Sequence, residues 1–143
     1  MTAAPSESWE QGVVVEQLRV LGILCASIPN DAPRTTLGHV QAKRRGLTAG
    51  APDLLIFAPP PAFPWARGVA LEFKKRSTRE RAVARADEAD GAKALGATPD
   101  QLKFLADLEK LGWKTAVVAG APAALAFLKE LGYPVATVGP PTA

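Results

Sequence analysis

The chain is poor in the residues that build most nucleophilic triads and side-chain zinc sites. Its 143 residues include one cysteine, Cys25, and one histidine, His39. An internal disulfide framework is excluded, and so is a cysteine-based zinc knuckle. A Ser-His-Asp or Cys-His site would have to use His39 as its base, and a histidine-rich metal site is ruled out. No apolar run approaches the ~20 residues of a membrane span. The stretch 1–11 is polar and acidic rather than basic and then apolar, so no secretory leader is expected and the reading is a cytoplasmic protein. Apolar residues make up 48 % and charged residues 22 %, which excludes a wholly disordered or fibrous chain. The length suits one domain with one core, expected over 1–135 with a loose tail at 136–143.

The net charge of +3 is small, but its distribution is uneven. Between Pro33 and Gly50 stand Arg34, Lys43, Arg44 and Arg45 with no acid. Between Arg67 and Arg85 stand seven basic residues against Glu72 and Glu80. Local positive clusters suit a polyanion, although a solvated surface carries charge in the same way.

Apolar spacing predicts a helix over 6–21, capped by Ser6 and faced by Val13, Val14, Leu18 and Leu21. A short strand follows over 23–28, then a Pro/Asn/Asp turn, then a basic short helix and loop over 36–50. Residues 53–57 read as a nearly continuous apolar strand and hence a central one. A Pro-rich loop joins it, as a hairpin, to a strand over 68–75. The charged, Ala-rich segment 76–97 reads as a mobile loop or an exposed helix. Thr98 and Pro99 open a helix to about Leu111, with Leu102, Leu105, Leu108 and Leu111 as its apolar face. A strand over 114–119 and a helix over 122–131 complete a mixed α/β fold with helices on both faces, followed by a loosely held tail after Tyr133.

The chemistry concentrates on the hairpin. Glu72 and Lys74 are two apart on one strand, so they share a face while Phe73 points into the other layer. An acid and a base on an otherwise apolar strand are costly unless paired or used. If Asp53 lies beside Glu72, two carboxylates meet, and a hard divalent cation relieves their repulsion. Oxygen ligands favour Mg²⁺ or Mn²⁺ over zinc. Lys74 would then orient a water or hold developing negative charge. The plain alternative is a Glu72–Lys74 ion pair with Asp53 as a turn residue.

The order Gly50-Ala51-Pro52-Asp53-Leu54-Leu55-Ile56, then Ala70-Leu71-Glu72-Phe73-Lys74, then Thr98-Pro99-Asp100-Gln101 resembles the VRR-NUC domain of the PD-(D/E)xK nucleases. Glu7 with Gln11, Val13 to Arg19, Pro29-Asn30 with Arg34, and Lys43 before Gly46-Leu47 fit the same pattern, so the resemblance spans about 6–131. It implies a restriction-endonuclease-like fold, a central mixed β-sheet flanked by helices. It implies Asp53 and Glu72 as metal ligands, with the Phe73 carbonyl as a backbone ligand, for Mg²⁺ or Mn²⁺. Lys74 becomes the catalytic lysine and Gln101 the glutamine that supports the site. Glu7 is the preferred helix acid, with Glu10 one turn on as its alternate. Asn30 and Arg34 match a phosphate-holding stretch, and Lys43, Arg44 and Arg45 would face the DNA backbone. The implied activity is metal-dependent DNA endonuclease chemistry, structure-specific and Holliday-junction-resolvase-like, by a homodimer. The segment 76–97 departs from the family as a flexible insertion with five basic and four acidic residues.

Two other classes compete. One is a nucleic-acid-binding domain of the same fold without catalysis, against which the intact Asp53, Glu72 and Lys74 set argues. The other is a small-molecule α/β domain using the turn Val118-Ala119-Gly120-Ala121-Pro122 as a phosphate cradle, although it has neither a dinucleotide fingerprint nor a P-loop. His39 reads as a surface histidine and Cys25 as a packed core thiol. Phe63 and Trp65 read as core-edge or interface residues.

Overall fold

The structure is a computed structural model that describes residues 5–29, 35–76, 82–85 and 87–136. Asn30 and Arg34 lie outside the described residues. The element order is α1 (Glu7–Val20), β1 (Cys25–Ser27), α2 (Thr36–Arg44), β2 (Leu54–Ile56), β3 (Val69–Lys74), β4 (Val83–Arg85), α3 (Ala89–Ala94), α4 (Pro99–Lys110), β5 (Lys114–Ala119) and α5 (Ala121–Glu130). The five strands form one sheet in the order β1-β2-β3-β5-β4. β2 runs antiparallel to both its neighbours β1 and β3, β3 and β5 are parallel, and β4 closes the far edge antiparallel to β5.

Strand alternation divides the core in two. Val69, Leu71 and Phe73 of β3, with Ala116 and Val118 of β5, point to the side of α1 and α5. There they bury Val14 and Leu18 of α1 and Leu125 and Leu128 of α5, each side chain worth roughly 1.5–3 kcal/mol. Val117, on the opposite face, packs with Leu105 of α4 and with Ala84, Ala92 and Ala97. The second cluster is small because its residues are mostly alanine.

The helix starts follow the capping residues. Ser6 accepts from Trp9 N–H at the head of α1. Thr98 caps α4 with Pro99 in its first turn.

Four expectations are corrected. Of the two readings of 76–97, a mobile loop or an exposed helix, the second holds for part of it and an edge strand was not expected, while 77–81 and 86 lie outside the described residues. Val83–Arg85 is an edge strand and Ala89–Ala94 a helix, with Ala84 and Ala92 buried. Three-residue β4 is too short to show a periodicity. Second, β2 is an interior strand but not the central one, which is β3. Third, Leu111 is the C-cap of α4 and is exposed rather than part of its apolar face. Fourth, the chain after α5 is anchored as far as it is described. Tyr133 and Val135 are buried, Tyr133 donates to the Ala58 carbonyl, and Ala136 exchanges two hydrogen bonds with the Gln17 amide.

Candidate active site

The site begins where the sheet forks. β2 pairs with β3 from Ile56↔Val69 to Leu54↔Leu71. One step further this register sets Asp53 opposite Glu72, and directly opposed residues in a sheet are neighbours. Beyond that point β3 continues along β5 through Glu72↔Val117, Phe73↔Val118 and Lys74↔Ala119. The Phe73 N–H, released from the β2 ladder, donates to Asp53 Oδ2 at 2.8 Å. Asp53 is pinned by its own backbone as well. Its N–H donates to the Leu71 carbonyl at 3.1 Å, and its carbonyl accepts from Ile28 N–H at 2.9 Å and from Gln11 Nε2 at 3.3 Å.

Glu72 and Lys74 leave β3 on the α4 side, opposite Phe73, as the strand period requires. The Glu72 side chain is only 4 % exposed. Its Oε1 accepts from Gln101 Nε2 at 2.8 Å and lies 3.7 Å from Lys74 Nζ. Its Oε2 is buried and has no hydrogen-bond donor among the described residues. Burial first, and then the charge of Asp53, push the Glu72 carboxyl up to about 8. Lys74 opposes that rise, and the charge of Glu7 adds to it.

Gln101 reaches Glu72 because α4 begins at the right place. Gly50 has φ +83°, and a Cβ there would stand 2.3 Å from the Asp100 carbonyl carbon and 2.7 Å from Gln101 N. Only glycine fits, so the turn leading to Asp53 rests directly on the first peptides of α4. A capping box holds that turn of helix. Gln101 N–H donates to Thr98 Oγ1 at 3.2 Å, and Thr98 N–H donates to Gln101 Oε1 at 2.9 Å.

The two acids of α1 part company. Glu7 is exposed, and its charge reaches Glu72. Glu10 is fully buried and committed elsewhere. Its Oε1 pairs with Arg76 Nε at 2.5 Å, and its Oε2 accepts the Ala121 N–H at the start of α5. A Cβ on Gly120 would stand 3.0 Å from Glu10 Oε2 and 2.7 Å from Arg76 Cγ. The turn at 118–122 is therefore filled by the chain's own carboxylate and guanidinium, and this corrects the phosphate-cradle reading.

Sequence reading missed this Glu10–Arg76 pair. The available signal was α5 itself, which starts from Gly120 without a side-chain cap of its own and so needs a remote acceptor.

Lys43 and Arg44 end α2, Arg45 caps it, and all three are exposed, as is His39. Cys25 lies on the outer strand β1 and is half-buried rather than a full core thiol. Trp65 is exposed, set edge-on to half-buried Phe63, with Lys114 Nζ 4.3 Å and 4.8 Å above the two rings.

A cation fits Asp53 and Glu72 on two grounds: the donors are all oxygen, and one buried carboxylate oxygen lacks a partner. Among the described residues, no three His, Cys, Asp or Glu side chains gather into a closed cage. A cation there would fill its shell with backbone, water or phosphate oxygens.

An acid just before β2, a Glu-x-Lys ending β3 and a glutamine in the first turn of α4 thus meet on a mixed sheet flanked by helices, a restriction-endonuclease-like α/β fold. No family model and no curated protein matches the chain. A solved structure described as a VRR_NUC domain protein does share its fold, with a TM-score of 0.63 over 92 % of this chain and 91 % of that one. The two sequences are 21 % identical, so the likeness is one of fold. Among the described residues, no helix is long and apolar enough to cross a membrane.

Proposed function

We propose that this protein is a divalent-metal-dependent DNA endonuclease that hydrolyses phosphodiester bonds. One observation carries the reading: a buried Glu72 carboxylate with an unpartnered oxygen stands opposite a second carboxylate and 3.7 Å from Lys74. A purely structural ion pair gains nothing from an added acid. Asp53 and Glu72 would hold Mg²⁺ or Mn²⁺, with the Phe73 carbonyl as a further oxygen. When bound, the cation supplies Lewis-acid polarisation of a phosphoryl oxygen and a lower pKa for a bound water.

The chain's own residues do the rest. The Phe73 N–H fixes the Asp53 carboxylate. Gln101 holds one oxygen of Glu72 and leaves the other open. Lys74 Nζ brings a positive charge to the place where a pentavalent phosphorus would gather negative charge. Glu7 adds an acid at the mouth of the site. Lys43, Arg44 and Arg45 bind backbone phosphates without reading sequence, joined by Asn30 and Arg34.

The finer reading is a structure-specific enzyme of the Holliday-junction-resolving kind, acting in the cytoplasm as a homodimer with two sites related by a two-fold axis. The exposed Leu37 and Val40 on α2 are apolar surface available to such a partner. The second reading, a DNA-binding domain without catalysis, rests on the basic run alone.

The test is cleavage of end-labelled four-way junction, flap, linear duplex and single strand with Mg²⁺, Mn²⁺ or EDTA, by wild type and Asp53→Ala. Metal-dependent cutting lost in the mutant supports the nuclease, and the preferred DNA identifies the substrate class. Salt-sensitive binding without cutting turns the conclusion to the binding domain.

A further inference from the structure

We propose that Thr98, which touches neither Glu72 nor Asp53 in any hydrogen bond described above, is a positioning residue of the site through the capping box of α4. The inference rests on the reading of Glu72 as part of the active site.

A glutamine amide has two ends of similar shape and opposite polarity, and only its NH₂ can donate to a carboxylate. At Gln101 the choice is made by the helix start. Oε1 is occupied by the Thr98 N–H at 2.9 Å, so the Nε2 end is turned to Glu72 Oε1 at 2.8 Å. The Thr98 N–H holds that place because Thr98 is itself clamped, its Oγ1 accepting from Gln101 N–H at 3.2 Å with Thr98 in extended backbone at φ −82°, ψ 161°. Gly50, seated on the Asp100–Gln101 peptide, keeps the same turn of helix against the approach to Asp53.

One short motif therefore does two jobs. It closes the N-terminus of α4, and it sets which face of the amide meets Glu72. In a capping box the N3 side chain reaches back to the N-cap backbone N–H. Here the second end of that side chain is spent on the acid whose other oxygen is unpartnered. An exposed threonine at a helix start thereby controls the aim of a buried carboxylate.

The roles of cap and aim separate in a double-mutant cycle. Thr98→Val keeps the shape and the backbone N–H but removes the Oγ acceptor. It is expected to lower kcat about tenfold at unchanged KM, as a misaimed group does, and to lower Tm by roughly 3–6 °C, as a lost cap does. Thr98→Ser restores both. In a Gln101→Ala background, Thr98→Val should still lower Tm but cost nothing further in kcat. A kcat loss of the same size with and without Gln101 would overturn the inference, because the cap would then act on the site by general loosening.

A second readout does not need catalysis. Hydrogen exchange of the Gln101 side-chain amide, followed by NMR in the metal-free protein, should speed up in Thr98→Val and return to the wild-type rate in Thr98→Ser. An unchanged rate in Thr98→Val overturns the inference whether or not the protein cuts DNA. Should wild type cut nothing, the proposed function falls while the amide experiment still decides the role of Thr98.

Discussion

Two glutamates are buried among the described residues, and they are treated in opposite ways. Glu10, on α1, has a guanidinium on one oxygen and a helix N–H on the other. Glu72, on β3, has an amide on one oxygen, a lysine too far for a close pair, another carboxylate opposite, and no donor on its second oxygen. Burying a charge costs free energy unless it is paired and hydrogen-bonded. Where every lone pair is answered, the charge is part of the architecture. Where one is left open beside another carboxylate, the acid either keeps its proton or takes a cation from outside. The two residues are of one type and nearly equal burial, so the difference lies in their partners alone.

The largest expected effect tests the open member. Glu72→Ala and Asp53→Ala should each reduce metal-dependent cleavage by more than about 10³-fold, the scale of losing a preorganised charge-stabilising group, while DNA binding in EDTA stays near wild type. Activity retained in either variant would remove the carboxylate from the site.

The next effect tests the closed member. Glu10→Ala leaves Arg76 and the head of α5 without an acceptor, and should cost roughly 3–5 kcal/mol in denaturant unfolding. A loss below about 1 kcal/mol would show that water replaces the pair.

The third separates the two by sign. An acid lifted to about 8 in the folded protein, against 4.5 unfolded, keeps its proton when folded and gives it up when unfolded. Its contribution to stability is complete below pH 4.5 and is lost as pH rises toward 8, by several kcal/mol at most. Unfolding of the metal-free protein should therefore be easier at pH 8 than at pH 5. Glu72→Gln should flatten that slope and stabilise the protein at pH 8, whereas Glu10→Gln should destabilise it there. Saturating Mg²⁺ should stabilise wild type at pH 8 and leave Glu72→Gln unmoved. A metal-free wild type with no such slope would contradict the raised carboxyl.

The smallest effect lies away from both glutamates. Replacing Lys43, Arg44 and Arg45 together by alanine should weaken DNA binding and flatten its salt dependence by up to about 0.9 in log–log slope for each phosphate contact removed. An unchanged slope would take the end of α2 off the DNA face.

Much of this was legible in the residues. The β2–β3 hairpin, the strand at 114–119 and the capped start of α4 follow from alternation, Pro-rich punctuation and the Thr-Pro-Asp-Gln run, which are local signals. Asp53 opposite Glu72 was conditional on register, and a two-residue period gives the face of a side chain without its partner strand. What was not legible came from contacts between distant segments. Nothing near Glu10 in sequence distinguishes it from Glu7, and its burial is decided by α5 more than a hundred residues later. β4 was hidden because a strand of three residues, Val83-Ala84-Arg85, has no pattern to read. The Gly50 contact with α4 was hidden because a glycine in a turn gives no sign of what backbone approaches it.

The parallel pairing of β3 with β5 sets an order in time. Glu72 and Lys74 lie on a strand whose second flank stays open until Val117 to Ala119 arrive from the far end of the chain. Such long-range pairings form late because loop closure must precede any gain from contact. During synthesis the hairpin emerges well before α4 and β5 do, so the carboxylates exist for some seconds on a strand with one flank bare and no Gln101 to aim them. The candidate site of a ribosome-bound chain is therefore unassembled, and it is completed only when the last strand locks in.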